Sequence, residues 1–366
     1  MNKKLLLTLT AAALLFGGCT GSDAVHVLGD ASGTHLSVDL CGGSLVDFRL
    51  EGSAVNPFSW SVPASDMPEN NRNGAPFRGH FLCLGRWGAP TDGERRAGVP
   101  HNGQAGNGRW QPIVCSGDSL LVIRSEASLD GIAVVREIRF DAAHAVFRIS
   151  DAVESRISIG RPFNMVQHAT FGIPFLTRST LVDSNAGEGF MQHLSYPDPH
   201  RFAAAWPMAI VDTAGHTVDL TRTDSPAPYV STHLFPHDTA WVTAAAPGHG
   251  LLAGYVWKTS DYPWLNVWHD VCDGQPAALG LEFGTTGIGR PYQELLAIDT
   301  RFRGQPSFFY LDALETVRKP FIGFQARIPG DYRGVQDVAL VAGRIVLTEK
   351  AAHRPRIIII ENRYSL

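Results

Sequence analysis

Four stretches carry side chains able to move protons or grip a polar ligand. The first is Phe163–Phe175, an apolar, β-leaning run with Gln167 and His168 side by side at its middle. A polar group held among Phe163, Met165, Val166, Phe171, Ile173 and Phe175 must be hydrogen-bonded or it costs about 1–3 kcal/mol. The pair is therefore either a satisfied core feature or a functional one. The second stretch is Leu279–Tyr292, where Glu282 stands as a lone carboxylate in an apolar strand. Desolvation favours the neutral acid and moves its pKa toward the range of a working base; pairing with Arg290 or Arg86 is the structural alternative. The third is Arg78–Trp110, rich in Gly and Pro and carrying His80, Arg86 and His101, which reads as a long loop crossing the fold. Loops on a rigid scaffold are where binding residues concentrate. The fourth is Gly254–His269, with Trp257, Trp264 and Trp268 beside Tyr255 and Tyr262. Flat aromatic rings cover the C–H faces of a sugar while hydroxyls find partners at their edges, so this segment reads as a sugar platform or as core filling.

These residues need elements to position them, and the alternation is that of strands. Leu36, Val38 and Leu40 alternate with polar neighbours, Cys41–Ser44 turns, and Val46, Phe48 and Leu50 alternate again. Further strands read at 120–124, 132–141, 145–153, 241–245, 251–257, 308–311, 338–347 and 357–361, with turn signals such as Asp130-Gly131, Gly215, Gly248 and Gly250, and Asp273-Gly274 between them. The only helical candidate is Leu311–Val317, at most two turns. Gly and Pro are scattered, so no linker divides the chain. The pattern predicts an all-β fold, a large antiparallel sandwich forming one domain over residues 31–366.

The first eighteen residues read as an export signal: Lys3 and Lys4, then the apolar Leu5–Phe16, which is too short to span a bilayer. Leu15-Phe16-Gly17-Gly18-Cys19 resembles a bacterial lipobox. That resemblance implies lipidation of Cys19, a polar tether over 19–30, and a protein exported and lipid-anchored in the cell envelope, touching the membrane only through its anchor. An ordinary secretory signal cut near Gly18 is the alternative. Formal charge is −4, or −6 without Lys3 and Lys4, which gives no electrostatic reason to bind nucleic acid. Cys41, Cys83, Cys115 and Cys272 fit no zinc spacing and read as buried thiols, with any disulfide pairing left open.

Gln167-His168-Ala169-Thr170-Phe171 resembles the Asn-His-x-x-Phe strand of the galactose mutarotase (aldose 1-epimerase) superfamily, with Gln in the place of Asn. Gly42–Leu50 resembles that family's opening hairpin, and Leu120–Val153 its two long central strands. Pro100-His101-Asn102-Gly103 resembles its Pro-His-Gly segment, with Asn102 inserted. Leu281-Glu282-Phe283 resembles its Leu-Glu-Thr strand, and Arg86 its substrate-gripping arginine, though Gly-Arg-Trp-Gly replaces the usual Asn-Arg. The resemblance implies a β-supersandwich that interconverts sugar anomers with Glu282 as base, His168 as acid and His101 as second imidazole. It further implies Arg86 and Gln167 as hydroxyl ligands and no cofactor; His80, Arg290 and the three tryptophans are expected, from their residue types, to contact the same mono- or oligosaccharide. Another sugar-active enzyme on the same scaffold, such as a lyase or epimerase, and a non-catalytic glycan-binding lipoprotein remain alternatives.

Overall fold

The computed structural model describes residues 24–195, 198–351 and 353–366, so Cys19 and the export signal lie outside the described residues. The alternating segments assemble into two large antiparallel sheets. A ten-stranded sheet is built, in order, from Val25–Gly29, His35–Asp39, Ser44–Arg49, His80–Leu84, Met165–Phe171, Gln275–Gly284, Trp264–Cys272, Tyr229–Leu234, Glu188–Met191 and Ala204–Ala205. An eight-stranded sheet contains the long strands Ile132–Asp141, Val146–Ser155 and Thr316–Arg327 at its centre. Their inner faces enclose the main core, which includes Phe48, Trp110, Ile149, Phe171, Trp257, Phe283 and Phe321. A third layer covers the outer face of the eight-stranded sheet. There Val335–Val341, Arg344–Glu349 and Ile357–Glu361 pack Val338, Ile345 and Leu347 onto Trp241, Leu252 and Ile322. Among the described residues no helix is long and apolar enough to cross a membrane.

The all-β sandwich expected from alternation is present, with several local differences. Arg78–Trp110 is not one loop, because His80–Leu84 is a fully buried central strand of the larger sheet. Its Phe-Leu-Cys-Leu run is apolar on both faces, which gives no alternation to read. Leu311–Val317 is not helical; Leu314 has φ 57°, and the chain reverses into Thr316–Arg327. Residues 338–347 form a hairpin rather than one strand. The reversal falls at Ala342-Gly343, both with positive φ, a turn geometry that Gly343 accommodates without strain. Val25–Gly29, within the stretch read as a tether, is an edge strand paired with His35–Asp39. Of the cysteines read as buried thiols, only Cys83 is buried; Cys41 and Cys115 are half-buried, and Cys272 is exposed.

Candidate active site

Because side chains alternate across a strand, the larger sheet presents two different sets of residues. Its inner face belongs to the main core. Its outer face carries a cross-strand row at the middle of the sheet. Phe81 pairs with His168, and the register that joins Val166 to Gly284 and Thr170 to Gly280 sets His168 directly across from Glu282. Asn266 lies opposite Glu282 on the next strand, and Thr232 opposite Asn266. Strand pairing alone thus brings an imidazole and a carboxyl together from segments 114 residues apart in sequence.

His168 Nε2 lies 3.1 Å from Glu282 Oε1. The other carboxyl oxygen accepts a hydrogen bond from the Trp87 indole at 2.9 Å, and His168 Nδ1 lies 2.8 Å from the Thr170 hydroxyl, two residues along on the same face. The Phe81 ring stacks on the imidazole at 4.2 Å between centroids, and Trp268 meets it edge-on at 5.8 Å. Glu282 is 1% and His168 8% exposed. Gly280 leaves room for this arrangement, since a Cβ there would come within 2.8 Å of Glu282 Oε1 and 3.2 Å of the Trp268 Cβ.

Burial sets the charge state. Desolvation lowers His168 to about 3, with the nearby His101 acting in the same direction. Desolvation also raises Glu282 to about 8, opposed by the hydrogen bond from Trp87. Both shifts favour the uncharged forms, so around neutrality the pair holds one proton, and burial favours placing it on the carboxyl. This reverses the order expected from the sequence, where the imidazole was to hold the acidic proton.

The pair forms the floor of a cavity of about 400 Å³ that opens on the outer face. Trp60, Phe77, Trp87 and Trp268 wall it, and His101, Asn102 and Gln192 contribute polar atoms. Phe77, Phe81, Trp87, Val166 and Met67 form a small apolar cluster of their own, separate from the main core, that holds these walls in place. Among the described residues no group of three His, Cys, Asp or Glu side chains is placed to hold a metal ion.

Of the residues expected from the sequence, the structure brings together Glu282, His168, His101 and Trp268. The others lie elsewhere. Gln167 is one position from His168 and so points to the inner face, where its amide donates to Asp151 at 2.8 Å and its carbonyl accepts from Arg136 at 3.0 Å. His80 shares that face, hydrogen-bonded to Gln167 at 3.2 Å and to the Tyr255 hydroxyl at 3.1 Å. Arg86 is buried between Asp130 and Glu94, each at 2.6 Å, and does not reach the cavity. Trp257 stacks on Phe283 at 4.3 Å within the core. Trp264 lies on the outer face but about 13 Å from Trp268, four residues of strand rise away. It packs there with Phe190, Ile288 and Phe302. Arg290 is exposed and pairs with Glu294 at 3.2 Å.

Sequence reasoning missed Trp60, Phe77, Phe81, Trp87, Thr170 and Gln192. For Thr170 and Phe81 the signal was available: Thr170 follows His168 by two residues and shares its face, and Phe81 alternates with His80. Trp60 and Gln192 reach the cavity by tertiary packing from segments with no local mark.

No family model matches the chain, and no curated protein matches it. Several solved structures do. A galactose mutarotase related enzyme from Lactobacillus acidophilus has a TM-score of 0.59 at 9% identity, covering 83% of this chain and 98% of that one. A galactose mutarotase-like protein from Clostridium acetobutylicum gives 0.58 at 13% identity, with 83% and 98% covered. An aldose epimerase homologue from C. elegans gives 0.50 at 10% identity, with 83% and 99% covered. At such identities the likeness is one of architecture: this chain has the galactose mutarotase-like fold.

Proposed function

We propose that this protein is carbohydrate-active and interconverts the α and β anomers of an aldose by general acid–base catalysis. The observation that carries the reading is the His168–Glu282 contact at the floor of an aromatic-walled cavity. In a cyclic aldose the anomeric hydroxyl and the ring oxygen are bonded to the same carbon. Two proton-transfer groups that touch each other can therefore serve both oxygens of one bound sugar.

The pair begins with one proton, on Glu282. His168 Nε2 accepts the proton of the anomeric hydroxyl as Glu282 delivers its own to the ring oxygen. The bond between the anomeric carbon and the ring oxygen breaks, and a carbonyl forms at the anomeric carbon. Rotation about the adjacent carbon–carbon bond presents the other face of the aldehyde. Reclosure then runs the transfers backward: Glu282 takes the proton from the ring-closing hydroxyl as His168 gives its own to the carbonyl oxygen, so the pair again holds its one proton on Glu282. Atoms and charge balance without a further reactant. The Thr170 hydroxyl fits as acceptor for Nδ1–H, which leaves the one lone pair of Nε2 to accept from the Glu282 O–H at rest and from the anomeric hydroxyl once that proton turns to the ring oxygen.

Exchange NMR between the anomers of a panel of monosaccharides tests the reading. Wild-type protein should accelerate exchange for at least one sugar, and His168→Asn should reduce that rate by roughly 10²-fold or more while the protein still melts cooperatively. Sugar binding with no effect on exchange would leave glycan binding as the function. We also propose that Cys19 carries a lipid anchor. Labelled palmitate should enter the wild-type protein and not Cys19→Ala, and an unlabelled wild type would end that proposal.

A further inference from the structure

Resting on that acid–base reading, the composition of the cavity narrows its substrate. Among the described residues lining it there is no lysine or arginine, and the titratable groups are His101, His168 and Glu282. The nearest buried cation along the chain, Arg86, is held by Asp130 and Glu94. A phosphate or uronate bound here would meet aromatic rings, a carboxyl and no fixed positive charge.

The polar side chains in the walls are mostly occupied by the protein itself. The Asn102 carbonyl oxygen accepts from the Gly88 amide at 2.7 Å. Gln192 donates to the Thr232 hydroxyl at 2.9 Å and accepts from the Gly289 amide at 3.3 Å. The Trp87 indole N–H is committed to Glu282. What remains to meet sugar hydroxyls is the Asn102 side-chain N–H groups, the His101 ring and the proton-transfer pair itself. Around that pair stand the rings of Trp60 and Trp268, while Phe81 is sandwiched between His168 and Phe77.

The exocyclic carbon of an aldopyranose is attached next to the ring oxygen. With the ring oxygen at the His168–Glu282 pair, that carbon falls among those aromatic faces. A methyl group there is buried favourably, whereas a hydroxymethyl oxygen loses its water without gaining a partner. We infer that the site selects an uncharged 6-deoxyaldose over the hydroxylated parent, and excludes sugar phosphates and uronates.

Matched sugars isolate the effect: 6-deoxygalactose against galactose, 6-deoxyglucose against glucose, and galactose 6-phosphate and galacturonate as charged analogues. Binding is read by quenching of tryptophan fluorescence, since Trp60, Trp87 and Trp268 line the cavity, and turnover is read by exchange NMR. Each deoxy sugar should bind about tenfold tighter than its parent, the usual scale for one unpaired hydroxyl in an apolar pocket. The charged analogues should not bind at concentrations that saturate the deoxy sugars. A parent bound as tightly as its deoxy partner, a charged analogue bound within tenfold of it, or no binding by any sugar overturns the inference. The two readings fail separately. A deoxy preference in binding with no exchange would remove the anomerase function alone, and rapid exchange with a preference for the hydroxylated parents would remove this inference alone.

Discussion

Replacing Glu282 with glutamine separates a buried acid from a structural ion pair. In the wild-type protein the carboxyl is held at about 8 against an ordinary 4.5, so the folded state binds this proton more tightly than the unfolded chain does. Stability contributed by the group is complete below pH 4.5, declines as pH rises, and is lost once pH passes 8. At about 1.36 kcal/mol per pKa unit, the decline between pH 5 and pH 8 is roughly 3 kcal/mol. Glutamine has no proton to lose and keeps both local bonds, an amide N–H toward His168 Nε2 and a carbonyl toward the Trp87 indole. His168, lowered by burial, contributes in the opposite sense between pH 3 and 6.5 and is common to both proteins. The two should therefore melt together near pH 5, and Glu282→Gln should become the more stable as pH rises. With unfolding entropy of about 2.1 cal/mol/K per residue over this chain, roughly 3 kcal/mol corresponds to about 4 °C in Tm at pH 8. Thermal melts of both proteins at pH 5, 6, 7 and 8 measure it. Parallel Tm curves would show that Glu282 has no raised proton affinity. A variant less stable at pH 8 by roughly 3–5 kcal/mol would mean that an ionised pair with protonated His168 had been broken. In either case the neutral-pair chemistry falls. Anomer exchange in the glutamine variant should drop by roughly 10²-fold or more, because an amide cannot shuttle a proton.

The same proton count fixes the pH dependence of the reaction: kcat/KM measured by exchange NMR should be flat through neutrality and fall above pH 8, where the pair loses its only transferable proton. A rate that climbs through pH 8 would require the ionised carboxylate and refute the scheme. Gln167→Leu should lower stability by roughly 2–4 kcal/mol in urea unfolding, since it strips partners from Asp151, Arg136 and His80. The KM of the folded fraction should be unchanged, and a raised KM would place Gln167 in the substrate site after all. Arg86→Met should cost roughly 3–5 kcal/mol by leaving buried Asp130 without its cation, again with KM unaltered.

The strand pattern and the two candidate acid–base residues were legible in the sequence for one reason. A period of two is a local property, and a lone carboxylate or imidazole in an apolar strand is conspicuous wherever it falls. The misplacements came from not carrying that period through. Gln167 and His168 are neighbours in a strand and could not both line one cavity, and His80 shares the parity of Gln167 through strand pairing. Trp264 and Trp268 share a face but are four residues apart, too far to wall the same small site. Arg86 sits beside Trp87, the residue that touches Glu282, and the choice between the two depends on Asp130 and Glu94 being within reach, which no local pattern encodes. Trp60 and Gln192 arrive from distant segments. Their roles follow from which loops fold over the outer face, and that is decided by packing.

The inner-face polar network has a consequence for binding. Gln167 is held by Arg136, Asp151, His80 and Tyr262, and Arg136 grips Asp151 through two bonds of 2.8 Å from the opposing sheet. This clamp lies directly beneath His168 and is closed by protein groups alone. Since alternation ties the backbone of each residue to that of its neighbour, fixing Gln167 fixes the strand from which His168 projects. The pair is thereby held from behind through the backbone, while Thr170, Phe81 and Trp87 set its side chains on the cavity side. On the anomerase reading proposed above, a sugar would not lose affinity to ordering the groups that act on it, and the cavity walls could vary to suit a different ring without disturbing the pair at the floor.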